Sequence, residues 1–267
     1  MLTPYQQRIS NFYTARIDYD NDFTRDRALH HLDYAEPELG QNILDVGTGT
    51  GFVAIAAAEI VGANGSVVGI DITQRYLEKA QEKITAAGLT NVQLIEIDEA
   101  KFNPKPEQFD RIYCSSSMVL FPDIPASLQR WFNWLKPGGF AVFTCHPETA
   151  FFTPFILKAC LSQGISLPNL HEPLGTIDRC YDLMQTAGFE DIEVHTVDQS
   201  EWISVQNAKQ IWDGRTWFHQ NDPLPDLPEE KIAEIKASFD RLLKAKNTKK
   251  GIWNDYQTFY VVGRKPG

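Results

Sequence analysis

Short apolar runs alternate along this chain with stretches in which apolar residues recur every three or four positions. The first pattern reads as buried strands and the second as amphipathic helices. Their alternation is the signature of a parallel sheet covered on both faces. Asn42–Val46 is the first predicted strand, and the helix-forming stretch Phe52 to Ile60 follows it. Ser66–Asp71 is the second, led in by the turn Gly62-Ala-Asn-Gly65. Next, Ile72, Tyr76, Leu77, Ala80, Ile84 and Ala87 fall at helical spacing and stop at Gly88, a usual helix terminator. Val92 to Ile97 and Phe109–Cys114 are the third and fourth strands. Ile124, Leu128, Trp131 and Leu135 then mark a helix closed by Lys136-Pro-Gly-Gly139, and Phe140 to Cys145 is the fifth strand.

Beyond Cys145 the rhythm changes. Residues 146–178 are rich in Pro, Phe and Leu without a clean period. Arg179 to Ala187 reads as a helix closed by Gly188, and Phe189 to Val197 as a sixth strand. An insert follows whose first half is aromatic and whose second, Glu229 to Lys246, sets Ile232, Ile235, Phe239 and Leu242 on one side, as an amphipathic helix does. Asn221-Asp-Pro-Leu-Pro-Asp-Leu-Pro228 separates the halves as a stiff linker. Tyr256 to Gly263 is the last strand. Near the start, His30 and His31 share an amphipathic helix whose inner face is Leu29, Leu32 and Ala35, which puts both histidines outside. His195 alternates to the surface of the sixth strand. The expected organisation is an N-terminal helical segment (1–39), a sheet core (40–198), a helical insert (199–253) and a closing strand with the C-terminus (254–267).

The first strand runs into Ile43-Leu44-Asp45-Val46-Gly47-Thr48-Gly49-Thr50-Gly51. Glycine lets the backbone turn tightly and approach a ligand with no Cβ in the way. The helix that follows points free N–H groups at whatever lies there. This is a nucleotide-type cradle. A dinucleotide loop wants G-x-G-x-x-G, but the slot for its third glycine holds Phe52, which argues against a nicotinamide cofactor. The observed Asp-x-Gly-x-Gly-x-Gly resembles motif I of class I S-adenosylmethionine (SAM) dependent methyltransferases, and it matches at every glycine. The resemblance covers about residues 40–198 plus 254–263. It implies an α/β fold, a doubly wound, mostly parallel seven-stranded sheet of order 3-2-1-4-5-7-6, with the last strand antiparallel and helical lid insertions.

The resemblance also assigns site residues. Gly47, Thr48, Gly49 and Gly51 form the cofactor loop, and Asp45 holds the methionine amino group, directly or through that loop. Asp71, ending the second strand with Ile72 beside it, is placed to accept both ribose hydroxyls in charge-assisted bonds; the alternative is a cap for the helix from Thr73. Asp98 ends the third strand and takes the adenine amino group, with Glu99 as the competing acceptor; the alternative is a solvated acidic turn. Ser115 to Met118, after the fourth strand, line the pocket near the sulfonium or are plain loop. In the aromatic segment from Ile9 to Phe23, Asp18-Tyr19-Asp20 is similar to a Tyr-Asp segment that folds over the methionine end in methyltransferases of the ubiquinone/menaquinone-biosynthesis type. Tyr19 is thereby a candidate for the cofactor, the alternative being plain packing, and Tyr13 is a candidate for the acceptor.

Charge narrows the acceptor. The formal net charge is −10, and the only basic run is Lys244-Ala-Lys246-Asn-Thr-Lys249-Lys250. A nucleic-acid enzyme would carry a basic face. The Asn/Asp-Pro-Pro-aromatic motif and the Pro-Cys pair of nucleic-acid methyltransferases are also missing from the fourth-strand loop. Four cysteines without C-x-x-C spacing, no apolar leader and no window of transmembrane length suit a soluble, cytoplasmic protein. No pair of His, Asp or Glu falls at metal-ligand spacing.

Methyl transfer from a sulfonium is a direct displacement, so the protein chiefly aligns the partners and excludes water. A base is needed only if the nucleophile must lose a proton. His146, just past the fifth strand, is the first candidate; the alternative is a polar residue capping the strand. His171 and His219 are weaker ones. Phe151, Phe152, Phe155, Leu157, Trp202, Trp212, Trp217 and Phe218 would wall an aromatic acceptor pocket, or else pack the insert onto the sheet. The expected activity is SAM-dependent methylation at O or N, or at carbon, of a small apolar or aromatic metabolite. The alternative is a SAM-binding protein that catalyses a non-methyl reaction or uses SAM as a structural or sensing ligand. The large aromatic insert departs from the quinone-methylating group.

Overall fold

A computed structural model describes residues 2–16 and 19–267. Strands β1 (Asn42–Val46), β2 (Ser66–Asp71), β3 (Val92–Glu96), β4 (Phe109–Cys114) and β5 (Leu135–Cys145) pair in parallel. Four more follow: β6 (Glu190–Asp198), β7 (Glu201–Ile203), β8 (Ile252–Asn254) and β9 (Gln257–Arg264). The main sheet has seven strands in the order β3-β2-β1-β4-β5-β9-β6. That is the expected order. Its last strand counts as ninth because an unexpected antiparallel ribbon, β7 with β8, intervenes. Asp45 on β1 lies between Gly69 on β2 and Tyr113 on β4, so the carboxyl ends of β1, β2 and β4 share one edge. Open α/β sheets bind ligands there.

The helices are α1 (Pro4–Ala15), α2 (Asp22–Tyr34), α3 (Phe52–Val61), α4 (Gln74–Ala86), α5 (Ile124–Trp134), α6 (Thr153–Leu161), α7 (Ile177–Thr186), α8 (Val205–Gln210) and α9 (Glu229–Lys246). Their starts are legible in the chain. Thr3 and Gln6 form a capping box for α1, and Asn21 accepts the Thr24 N–H at 2.9 Å to start α2. In α3 the small residues Ala54, Ala57 and Ala58 are buried, which brings that helix close to the sheet.

The fifth strand begins earlier than its apolar run suggests. Leu135 already pairs with Phe109, and the register then shifts so that Phe140 pairs with Arg111. The Lys136-Pro-Gly-Gly139 stretch is therefore a bulge, not a stop. Pro137 has no N–H to place in a ladder, and Gly138 has a φ of 79°; both features belong to bulges.

The chain forms two compact units: Met1–Thr144 with Cys180–His195 and Tyr260–Gly267, and Cys145–Arg179 with Thr196–Phe259. In the first, Ile43, Val53, Ala57, Val67, Tyr113 and Val142 belong to one buried cluster. In the second, α6 and α9 supply Ile156, Cys160, Ile232, Ile235, Phe239 and Leu243 to another. Burying each Val, Leu, Ile or Phe side chain of these clusters contributes about 1.5–3 kcal/mol.

His31 corrects the sequence reading of α2. The buried face of that helix is Thr24, Ala28, His31 and Leu32. His31 is wholly buried, with Nδ1 3.0 Å from the Ala28 carbonyl. Burial pushes its pKa down to about 4, and burial alone does the same to His171. Both are neutral when folded and take up a proton near 6.5 when unfolded. Their stabilising contribution is thus full above pH 6.5 and is lost as pH falls toward 4, by about 1.4 kcal/mol per pH unit per group. Asp45, raised to about 7 by burial, acts with the opposite sign across the same window. Urea midpoints for His31→Gln and the parent chain at pH 7, 5.5 and 4.5 should therefore differ in slope, the variant losing less stability on acidification. Parallel slopes would rule out a buried neutral His31.

Candidate cofactor site

Gly47, Gly49 and Gly51 all have positive φ, at 68°, 56° and 84°, a region that side chains disfavour. Space reinforces this at Gly47, where a Cβ would come within 2.3 Å of Ser117 Oγ. The Gly47 and Thr48 N–H groups both donate to the Ile70 carbonyl, at 2.9 and 3.0 Å, which ties the loop to β2. Gly51 opens α3, and a Cβ there would lie 3.0 Å from that of Ala80. The third glycine thus serves close helix packing.

Two carboxylates sit under the loop. Asp71 Oδ2 accepts the Gly49 N–H at 2.9 Å and Oδ1 accepts the Thr73 N–H at 2.8 Å. The bond to Thr73 closes a local turn just ahead of α4, whose N-cap is Thr73, and the same Asp71 side chain also lines an open cavity. Burial raises its pKa, and the loop and Thr73 N–H groups pull it back. Asp45 is only 1% exposed and accepts from Thr48 Oγ1 at 2.6 Å. Burial raises it to about 7, with Thr48 opposing and the nearby Asp71 adding.

The space in and around this open cavity amounts to about 930 Å³, solvent at its mouth included. Of the residues picked from sequence, Tyr13, Tyr19, Gly47, Gly49, Asp71, Ile72, Asp98 and Glu99 line it. The N-terminal segment is fastened over the loop. Tyr19 lies where a Gly49 Cβ would come within 3.5 Å of its hydroxyl, and its ring meets Tyr76 at 4.8 Å and Tyr13 at 6.2 Å. Asp20 accepts from Thr50 Oγ1 and, at 2.9 Å, from Lys83 Nζ. Lys83 also donates to the Thr50 carbonyl at 3.1 Å and sits 4.2 Å above the Phe52 ring. Phe52, which breaks the dinucleotide spacing, is a platform for that lysine. Asp18 lies outside the described residues. Asp20 and Lys83 were missed because they bind the loop's flank and not the cavity; the Tyr-Asp pair was the available signal for Asp20.

At the end of β3 the two acidic residues separate. Asp98 accepts the Ala100 N–H at 3.1 Å. The Glu99 carboxylate, 7% exposed, takes Ser127 Oγ at 3.0 Å, Arg130 Nε at 3.0 Å, Arg130 Nη2 at 2.6 Å and Trp131 Nε1 at 3.1 Å. Four donors from α5 saturate it, so its side chain fastens this turn to α5.

Expectations after β4 need a correction. Ser116 and Ser117 line the cavity, whereas Ser115 does not and Met118 is fully buried. The reason is local. Ser116 adopts a left-handed φ of 60° and donates its N–H to Thr144 Oγ1 at 2.8 Å. The chain turns there, one residue later than the strand's end suggested.

The aromatic wall also needs correction. In the second unit Trp212 and Trp217 are buried in the core, their indole N–H groups given to the Thr216 and Pro168 carbonyls at 2.9 and 3.0 Å. Trp202 meets Trp253 edge-on across the β7–β8 ribbon and is 43% exposed. Trp212 and Trp217 therefore belong to the second unit's own core. His146 and His171 do come together there, with Phe151 and Tyr256. His146 Nδ1–H donates to the Gln257 carbonyl at 2.9 Å.

Known proteins agree with this arrangement. A family profile described as a methyltransferase domain matches residues 38–165. The aklanonic acid methyltransferase DauC of Streptomyces sp. (strain C5) is 35% identical over 66% of this chain and 81% of that protein. The nocamycin O-methyltransferase of Saccharothrix syringae is 30% identical over 91% of this chain and 92% of the relative. Among solved structures, the YcgJ protein of Bacillus subtilis superimposes with a TM-score of 0.62 at 15% identity, over 91% of this chain and 99% of that one. That last likeness is one of fold. With the glycine loop, the strand order and two relatives matched over most of their length, the chain belongs to the class I SAM-dependent methyltransferases.

Proposed function

We propose that SAM occupies the cavity of the first unit and that its methyl group passes by direct displacement to O or N, or to carbon, of a small apolar or aromatic metabolite. The observation that carries the cofactor's place is the convergence of Gly47, Gly49, Asp71 and Asp98 around one cavity. Asp71 would take the ribose hydroxyls with the lone pairs left after its two N–H bonds. Asp98 would accept from the adenine amino group, since four donors saturate the Glu99 carboxylate. Tyr19 would cover the methionine end, and Asp45 would answer its ammonium through the loop. The relatives' names support a small acceptor. The net charge of −10 supports an acceptor other than nucleic acid. No helix among the described residues is long and apolar enough to cross a membrane. Four buried free cysteines suit the reducing cytoplasm.

Calorimetric titration tests the reading. Micromolar binding of SAM and of S-adenosylhomocysteine, with none of NADH, is expected; failure of both adenosyl compounds to bind removes it. The affinity should also depend on pH. An ammonium near Asp45 lowers a carboxyl pKa that stands at about 7 in the free protein, so binding releases a proton. SAM affinity then rises with pH between about 5.5 and 7. Heats in two buffers of different ionisation enthalpy measure the proton count, and Asp45→Asn should abolish it. Equal heats in both buffers for the parent chain would detach Asp45 from the cofactor.

A further inference from the structure

The basic run of this acidic chain and its exposed tryptophans meet on the second unit. Arg241, Lys244, Lys246, Lys249 and Lys250 lie within residues 241–254, a stretch with no acid, in a chain whose net charge is −10. Lys244 and Lys246 close α9, and every residue from 244 to 250 is exposed. Thr248 and Gly251 then exchange backbone bonds at 2.9 and 3.1 Å, which sets Lys249 and Lys250 at the tip of a tight turn. That turn leads straight into β8.

In the β7–β8 ribbon, Trp202 lies directly across from Trp253 and Ile203 across from Ile252. Side chains alternate along a strand, and the isoleucine pair turns inward: Ile252 belongs to the second unit's core and Ile203 packs against it. The tryptophan pair is left on the outer face, 43% and 46% exposed. Lys250 Nζ stands over the Trp202 ring at 6.0 Å, which joins the cations to the indoles. The other tryptophans, Trp131, Trp134, Trp212 and Trp217, are all buried, so large apolar rings left in water are confined to this ribbon. Nearby acids do not cancel the patch. Glu201 alternates to the other face of the ribbon, Asp240 pairs with Lys209 at 2.9 Å, and Asp255 takes the Thr149 hydroxyl.

We propose that this face docks on an anionic phospholipid surface, with the lysines against lipid phosphates and Trp202 and Trp253 in the headgroup layer. Indole has an apolar body and one N–H donor, and it settles where hydrocarbon meets water. Each lysine near an anionic bilayer adds an attraction that salt screens. Membrane contact holds when an apolar and a basic signal act together, and this face carries both. A second copy of the chain fits it less well. A two-fold contact sets a patch against itself, which would bring lysines against lysines. Nucleic-acid bases stack on open ring faces, whereas here Lys250 stands over one indole and the other meets it edge-on at 5.4 Å. Docking of this kind would hold the chain where apolar metabolites gather.

Sedimentation of the full chain with vesicles tests this, one set of phosphatidylcholine alone and one of equal parts phosphatidylcholine and phosphatidylglycerol. Binding to the anionic set only is expected at about 0.1 M salt, and its loss at about 1 M, where the screening length falls from roughly 10 to 3 Å. The double variant Lys249→Gln, Lys250→Gln alters exposed turn residues and should lower partition about 25-fold, about fivefold for each cation. Lipid brominated in the upper acyl chain should quench the parent's tryptophan emission. Trp202→Phe with Trp253→Phe should remove that quenching, because the four remaining indoles are buried. No partition, equal partition on both sets, undiminished partition of the lysine variant, or unquenched emission in the bound parent overturns the proposal. So does binding of a single-stranded oligonucleotide in place of vesicles, or a dimer in solution that the tryptophan variant abolishes.

Discussion

Asp71→Ala is expected to lower SAM affinity by roughly a hundredfold. Hydrogen bonds to a charged group contribute about 1.5–3 kcal/mol each, and 1.4 kcal/mol is tenfold. Losing two ribose contacts alone reaches that size. Asp71 also holds the Gly49 and Thr73 N–H groups, so alanine frees the middle of the glycine loop as well. Asp71→Asn keeps one carbonyl oxygen of the same shape and should fall between the parent and the alanine variant. Calorimetry with SAM, beside circular dichroism to confirm folding, separates the cases. A folded alanine variant with undiminished affinity would remove Asp71 from the ribose site.

Trp131→Ala should cost about 3–5 kcal/mol of stability, the usual range for truncating a buried aromatic ring. Trp131 is fully buried and meets Phe121 and Phe143 edge-on at 6.3 and 6.4 Å. Its indole N–H also donates to Glu99 Oε1, so truncation removes one of four donors from a buried carboxylate. Trp131→Phe retains the ring and loses only that donor, at about 1–3 kcal/mol. Urea unfolding, monitored for each unit's own transition, gives the difference. A loss under about 1 kcal/mol for the alanine variant would mean that the ring's site collapses without penalty. Because Glu99 follows Asp98, the alanine variant should also weaken SAM binding, while Trp131→Phe should weaken it less.

The strands were legible because each is a short apolar run at the sheet's own period. β1, β2 and β4 fall where their apolar residues say they should. The glycine loop was legible for a similar reason, since a backbone that must turn left-handed three times selects glycine wherever it is read. Other features depended on distance in space. His31 shares a face with Ala28 and Leu32 by helical geometry, but a polar side chain at that position gave no sign that it would be buried. Ser116 and Ser117 could not be told from Ser115, since the turn is fixed by a bond to Thr144, far along the chain.

The sequence by itself determined the alternation of strands and helices, the place of the glycine loop and the two carboxylates, Asp45 and Asp71, that end near it. These are local patterns, set by side-chain period and by backbone strain within a few residues. Only the tertiary structure decided that Glu99 is spent on α5, that Trp212 and Trp217 are core, and that Arg16 and Arg27 line the cavity. A charged or aromatic side chain has the same local propensity whether it meets a ligand, a partner or the core. What it meets is fixed by segments that packing brings together from far apart in the chain.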